Sequence, residues 1–411
     1  MNRRMDRTRL NIGTYYLRSY ARTEQHVRDL RDCGIDFVVS MDSADRNVLD
    51  LFEKYGVGCV VNDVLPGWWG GNGEQSGSLH KVHPMEQYVA GAAAFKDHPA
   101  IWGVDIGDEP SALDFPYYGR VFEKVNSMFP NQFVYLNLYP NYASVAMNSE
   151  SQTTCQLGTA TYQEHIDQYC RMVPSDYISY DFYVYNCNLP KMYENFRIVA
   201  DACRNTGRAF WYIPQVNSYR PEVWISENEL RFQAYTALAF GAEVITWACY
   251  TAGWWSNQVL DDKGEKTEQY EKLKTVNAEL HALSDRYMKY RRTATHLVGF
   301  DGTDWLAGVG QASEHAADTG VFRGIKAFDG KPLVVGEMTG RANPAEKALF
   351  IAAADDPYDQ HPAERTVTFT VDASVTVEAF GGKGRVPVTR AVDGVCTVTI
   401  PPCGGVLVTA V

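Results

Sequence analysis

The stretch IWGVDIGDEP, residues 101–110, decides the reading of this chain. Side chains alternate along a strand, so Trp102, Val104 and Ile106 share one face and Gly103, Asp105, Gly107 and Glu109 share the other. An apolar face opposite a face of glycines and acids does not suit a sheet with one side in water. It suits a barrel strand whose outer face packs on helices and whose inner face lines a site. Pro110 then ends the pairing. Glu109 is left at the rim of the barrel mouth, where barrel enzymes keep their chemistry.

Working outward, strand-like and helix-like segments alternate from residue 10 to about 290. Strands are expected at 10–17, 35–42, 57–63, 101–109, 133–139, 177–185, 209–216 and 243–250. Helices are expected at 23–33, 46–55, 84–96, 114–128, 161–172, 191–205, 226–240 and 267–289. Two helix starts carry the pattern of a capping box, Ser226 with Glu229 and Thr161 with Glu164. Gly34, Gly56 and Gly207 lie just past helix ends, where a left-handed residue is wanted. Eight such units make an α/β fold, a (β/α)8 TIM barrel spanning 1–290. A doubly wound nucleotide-binding sheet would carry a glycine-rich turn after its first strand, whereas strand 1 here ends in Tyr15-Tyr16-Leu17. After residue 290 the helical period stops. Short strands separated by Gly, Pro and Asp, among them 296–300, 305–309, 347–353 and 405–410, predict an all-β sandwich over 291–411 that packs directly on the barrel.

The 411 residues suffice for a large core, and the net charge is −12 with no basic run. Nucleic acid and anionic membranes are thereby disfavoured as partners, since both call for Lys/Arg clusters. No apolar run approaches the length of a membrane span. The nine cysteines are odd in number and form no CxxC pair, which fits buried thiols in a reducing compartment. The charged N-terminus lacks the apolar core of a signal peptide, so a cytoplasmic location is expected, a trimmed secretion signal staying open. The β domain could bind sugar, shape the pocket or mediate a homo-oligomer.

The alternation extends to neighbouring strands. In 133–139 the inward set is Tyr135, Asn137 and Tyr139; in 177–185 it is Ser179, Asp181, Tyr183 and Tyr185. Three consecutive inner faces thus supply Asp105 and Glu109, Asn137 and Tyr139, and Asp181 and Tyr183. A buried acid is costly unless it is hydrogen-bonded or functional. The loop after strand 3, residues 65–80, carries Trp68 and Trp69 among glycines, and the loop after strand 8 carries Trp254 and Trp255. Paired tryptophans at a barrel mouth suit stacking on sugar rings; the competing reading is plain packing at the rim. The long walling loops point to a closed pocket and exo cleavage. There is no HExxH, GxSxG or Walker A motif. His80 and His83 lack a matching acid pair, so neither a metal nor a cofactor is expected.

At this point the residues resemble a family. GDEP at the end of strand 4 is similar to the strand-4 acid/base motif of the clan A glycoside hydrolases, with the family 42 β-galactosidases as an architectural relative. The resemblance implies that Glu109 is the general acid/base; the alternative is that Glu109 merely caps the following helix. One departure matters. The clan's nucleophile is a Glu ending strand 7, and Gln215 stands there. Asp181 is the favoured second carboxylate, with the loop acids Asp42, Asp63, Glu74 and Glu222 as others. The expected function is hydrolysis of an oligosaccharide or glycoside by Glu109 and Asp181. Asp108, Asn137, Tyr139, Tyr183, Gln215 and Asp42 would bind hydroxyls, and Trp68, Trp69, Trp247, Tyr250, Trp254 and Trp255 would frame the sugar. The rival reading is a non-catalytic carbohydrate-binding protein on a decayed barrel.

Overall fold

The computed structural model describes residues 5–41, 45–62, 65–69, 75–90, 96–145, 155–251, 253–300, 317–359 and 361–410. Eight parallel strands close a barrel in chain order: β1 (Asn11–Tyr15), β2 (Phe37–Met41), β3 (Gly58–Val61), β4 (Ile101–Asp108), β5 (Phe133–Leu138), β6 (Tyr177–Asp181), β7 (Ala209–Ile213) and β8 (Ala242–Trp247). Closure is made by β8 on β1, with Ile12 opposite Ile245. Between and after them run α1 (Glu24–Asp32), α2 (Arg46–Tyr55), α3 (Leu79–Val82), α4 (Met85–Ala90), α5 (Phe115–Met128), α6 (Tyr162–Met172), α7 (Leu189–Thr206), α8 (Glu227–Ala239) and α9 (Glu268–Tyr287). Of the helix expected over 84–96, α4 is the described part; α3 precedes it as a separate turn, and residues 91–95 lie outside the described residues.

The predicted helix punctuation is present, with one change. Ser226 and Glu229 form a complete capping box on α8. At α6 the Thr161 hydroxyl accepts from the Glu164 N–H, but the Glu164 carboxylate reaches past Thr161 to the N–H of Ala160. Gly34, Gly56 and Gly207 all take positive φ just beyond α1, α2 and α7.

The barrel interior is an aromatic plug. Phe37, Phe133, Tyr135 and Tyr177 surround Trp211, with ring centroids 4.9–5.9 Å from it. Trp211 is fully buried and donates its indole N–H to Thr246 Oγ1 at 2.8 Å. Val134, Leu136 and Leu138 of β5, and Ile178 and Tyr180 of β6, pack outward in the core shared with the helices, as the alternation predicted.

Strand β4 departs from simple alternation twice. Cys59 pairs with Ile101 but Val60 pairs with Gly103, so Trp102 is an extra residue. Such a bulge reverses the local facing. Trp102 therefore turns into the barrel against Phe37, at 6.0 Å, and not outward as its position in sequence suggested. Its ring lies so close over Gly58 that a Cβ there would come within 2.1 Å, which is why β3 begins with glycine. The second irregularity lies between Asp105 and Asp108, where three residues of β4 advance against two of β5.

Strand β9 (Tyr290–Val298) follows α9 at once, starting six residues before the strand expected at 296–300. The segment 305–309 lies outside the described residues. Then come β10 (Arg323–Ala327), β11 (Leu333–Gly340), β12 (Lys347–Ala353), β13 (Arg365–Thr370), β14 (Val377–Gly381), β15 (Gly384–Val386), β16 (Thr389–Arg390), β17 (Val395–Ile400) and β18 (Gly405–Ala410). They form a six-stranded sheet, β15-β14-β18-β12-β11-β9, and a four-stranded one, β10-β13-β17-β16. The larger sheet is buried on both sides. Leu333, Val335, Leu349, Ile351, Val406 and Val408 face the smaller sheet, while Val334, Met338, Ala348, Phe350 and Leu407 face the barrel helices. Phe350 sits between Tyr235 of α8, at 6.2 Å, and Tyr287 of α9, at 5.4 Å.

Candidate active site

The C-terminal ends of β4, β5 and β6 bring polar groups together above the aromatic plug. Across the second irregularity of β4, Asp108 pairs with Asn137, and Glu109 follows in left-handed backbone at φ 47°. The bulge thereby delivers two consecutive acids to the mouth where strict alternation would deliver one. Gly107 carries no side chain because a Cβ would meet the Tyr118 hydroxyl at 2.3 Å and the Trp68 carbonyl at 2.9 Å.

A continuous hydrogen-bond chain fixes the arrangement. The Tyr15 and Tyr135 hydroxyls are bonded to each other, and Tyr135 also meets Ser179 Oγ at 3.3 Å. Ser179 donates to Asn137 Oδ1 at 3.0 Å. With its oxygen so engaged, Asn137 must aim Nδ2 at the acids. That nitrogen donates to Asp181 Oδ1 at 2.7 Å and to Asp108 Oδ1 at 3.1 Å. Because both oxygens hold one nitrogen they lie about 6 Å apart or less, short of the about 6.5–9.5 Å gap of inverting glycosidases. Beneath them Asp105 accepts from Ser40 Oγ at 2.7 Å and from the Gly107 N–H at 3.0 Å. Glu109 Oε2 accepts from the Trp69 indole N–H at 2.8 Å.

Four carboxyl groups so placed cannot all ionise cheaply. The plug below excludes water, and solvation comes only from the mouth. Burial, and then the charge of Asp108, raises Asp181 to about 7, against hydrogen bonds from Asn137 and Tyr183. Burial raises Asp105 to about 7, opposed by Ser40 and Gly107. Asp108 opens to the water of the mouth, yet the surrounding barrel wall pushes it up to about 6, opposed by Asn137 and the Glu109 N–H. Glu109, half-buried, is held well above the ordinary carboxylate range by burial first and then by Asp181 and Asp108. A raised pKa in a cleft lined by specific charge partners marks a candidate acid/base group.

An aromatic rim stands over these acids. Trp254 touches Tyr15, Tyr16 and Tyr183 with centroids 5.6–6.1 Å apart, and Trp255 meets Tyr183 edge-on at 4.8 Å. Trp69 is 56% exposed and Trp255 37%. Tyr16, Ser40, Glu109 and Trp255 all hold left-handed backbone. Such conformations cost non-glycine residues about 1–2 kcal/mol each, and they concentrate where function demands a particular aim.

Of the residues expected from sequence, the structure brings Glu109, Asp181, Asp108, Asn137, Tyr183, Trp69, Trp254 and Trp255 to the mouth. Tyr139 is buried beside it, with Glu109 and Asp108 acting on its hydroxyl. Four others sit elsewhere. Trp68 is buried, its ring edge-on to His83 at 5.6 Å, so the two loop tryptophans do not act as an exposed pair. Trp247 lies on the outward parity of β8 and donates to Asn277 of α9 at 2.9 Å. Tyr250 is buried in the core between barrel and helices. Gln215 is fully buried; its Oε1 accepts from the Tyr185 N–H and its Nε2 donates to the Asn217 carbonyl, both at 3.0 Å. Tyr185, read as inward, likewise leaves the barrel and donates to the Glu229 carbonyl. Asp42, Asp63 and Glu74 lie outside the described residues, and Glu222 is exposed. His83 bonds Gln87 and His80 packs near Tyr117, so this pair forms no ligand set.

Asp50, Glu53 and His98 could approach one ion on the outer surface. Nδ1 of His98 accepts the Ala100 N–H, however, which puts the ring proton on Nε2 facing Asp50 and leaves no lone pair for a metal. Tyr15, Tyr16 and Ser40 belong to the site without being among the expected residues, and Ser179, expected only as inward-facing, joins them. The alternation along β1 and β6 carried a signal for Tyr15 and Ser179; Tyr16 and Ser40 depend on local backbone and carried none.

No family model and no curated protein matches the chain. Solved structures resemble it. A cycloisomaltooligosaccharide glucanotransferase from Paenibacillus sp., complexed with cycloisomaltoheptaose, superposes with a TM-score of 0.54 at 7% identity, over 98% of this chain and 84% of that one. A glycoside hydrolase family 30 subfamily 8 xylanase from Clostridium acetobutylicum is similar at TM-score 0.45 and 11% identity, over 98% and 96%. A glucosidase from Croceicoccus marinus is similar at 0.46 and 12%, again over 98% and 96%. At these identities the likeness is one of fold. The chain is a (β/α)8 barrel followed by a β-sandwich, with four carboxyl groups gathered under an aromatic rim.

Proposed function

We propose that this protein is a glycoside hydrolase working by carboxylate acid/base catalysis at the barrel mouth. The observation that carries the reading is the convergence of Glu109, Asp108 and Asp181 around Asn137, beneath Trp69, Trp254 and Trp255. Glycoside hydrolysis needs one carboxyl that keeps its proton at neutral pH and one that gives it up. Glu109, held well above the ordinary carboxylate range by burial and by Asp181 and Asp108, serves as the acid. Asp181, with two hydrogen bonds favouring its charged form, serves as nucleophile or base. The aromatic faces suit the apolar faces of a neutral sugar.

A second reading draws on Gln215. Its amide is spent on backbone partners, so strand 7 contributes no reacting group. A barrel that binds a glycan without cutting it would look the same there. The two readings separate in one experiment. Product release from aryl glycosides and oligosaccharides is followed beside calorimetric binding, for the natural protein and for Glu109→Gln. Hydrolysis expects turnover that falls by about 100-fold or more in the variant, the scale of general acid catalysis, with melting temperature retained. Binding without turnover in the natural protein supports the second reading. Unchanged turnover in Glu109→Gln removes Glu109 from the mechanism.

A further inference from the structure

At the end of the barrel opposite the mouth, a cleft of about 300 Å³ opens where the starts of β7 and β8 meet α7, β9 and β11. Arg7, Arg204, Arg208, Arg291, Arg292 and Arg341 all line it. In a chain of net charge −12 this is a local reversal of sign.

The carboxylates nearby do not balance it. Glu243 is shared by Arg7, at 3.0 Å, and Arg341, at 2.8 Å. Asp201 is shared by Arg292, at 3.0 Å, and Arg204, at 3.7 Å. Four of the six guanidinium groups thus share two carboxylates, and Arg204 also donates to the Thr293 carbonyl at 2.7 Å. Arg208 turns Nη2 to the carbonyls of Cys170 and Val173, while its Nη1 is buried without a partner. Arg291 is exposed and makes no ion pair among the described residues. Phe240, Tyr290 and Met338 supply an apolar wall.

We propose that this cleft binds a small phosphorylated molecule carrying at least two phosphate charges. The guanidinium fork matches phosphate oxygens two at a time, and the volume is that of a small-ligand site. A singly charged anion would leave most of the excess uncompensated. The ligand would bridge the barrel to the six-stranded sheet, since Arg204 and Arg208 belong to the barrel side and Arg291 and Arg341 to β9 and the end of β11. It would act far from the acids of the mouth, as a second site.

The test uses the full chain and inorganic pyrophosphate. Calorimetric titration and thermal melts are run against sodium chloride of matched ionic strength. Saturable binding with a dissociation constant below about 1 mM, an affinity of about −4 kcal/mol, and a melting temperature raised beyond the chloride control are expected. Arg291→Glu changes one exposed side chain that makes no ion pair among the described residues and should keep the ligand-free melting temperature while weakening binding at least tenfold. Arg208→Lys keeps the charge but loses the fork and should weaken binding too. No saturable heat, or equal affinity in Arg291→Glu, would overturn the proposal and leave these arginines as clamps between barrel and sheet.

Discussion

Replacing Asp105 by Asn should stabilise the protein at alkaline pH and lose that advantage as pH falls. Asp105 is 7% exposed, and its two hydrogen bonds, from Ser40 and Gly107, do not offset the cost of burying a charge. Its pKa is pushed up to about 7 by burial, with Asp108 adding to the rise. From an ordinary carboxylate near 4, that corresponds to about 4 kcal/mol held against the ionised form. Asn keeps the shape, can accept from the Gly107 N–H and can donate to Ser40 Oγ. The amide replaces the protonated carboxyl imperfectly, at a cost of about 1–2 kcal/mol. The net expectation at about pH 8.5 is a gain of about 2 kcal/mol, or a few degrees in melting temperature for a chain of this size.

The pH dependence has a definite sign. Folded Asp105 keeps its proton up to about pH 7, whereas the unfolded chain releases it near 4. The stability this group contributes is therefore whole below about pH 4 and is lost as pH rises through about 7. Between about pH 8.5 and 6 the natural protein should recover about 1–1.5 kcal/mol from this group, which the variant cannot. Scanning calorimetry of both proteins at the two pH values, at one ionic strength, measures the difference. The lower pH is kept at 6 so that the acidic chain retains net charge and solubility. A variant that melts below the natural protein by the same margin at both pH values would refute the reasoning. Asp105 would then be ionised in the fold, with Ser40 and Gly107 fully compensating its charge.

Two further outcomes are expected. Asn137→Ala removes the one donor shared by Asp108 and Asp181; both carboxyls should rise further, and the acidic limb of the pH–rate profile should move to higher pH, which a loss of folding alone would not produce. Phe350→Ala empties the space between Tyr235 and Tyr287 and should cost about 3–5 kcal/mol in denaturant unfolding, with the barrel and sheet losing stability together.

Much of the architecture was legible because it rests on local regularities. Period-two strands and capped amphipathic helices alternate eight times, and each unit announces itself within about thirty residues. The same alternation along β5 and β6 was enough to turn Asn137, Asp181 and Tyr183 into the barrel. It failed at β4, the strand that mattered most. Two bulges there invert Trp102 and bring Asp108 and Glu109 to the mouth together, and a bulge depends on pairing with neighbouring strands about thirty to forty residues away in sequence.

The division between the two kinds of information is physical. Chain-local chemistry dictated the number and type of elements, the barrel, the sandwich and the presence of acids on adjacent inner faces. Long-range packing dictated which side chains those faces present. Trp68, Trp247, Tyr250 and Gln215 have the composition of sugar-binding residues, yet each is claimed by a partner in the core: His83 for Trp68, Asn277 for Trp247, the backbone of Tyr185 and Asn217 for Gln215, and the helix-packed core for Tyr250. The carboxyl groups' protonation, too, arises from the exclusion of water by the plug around Trp211, a property of the closed barrel that no single strand possesses.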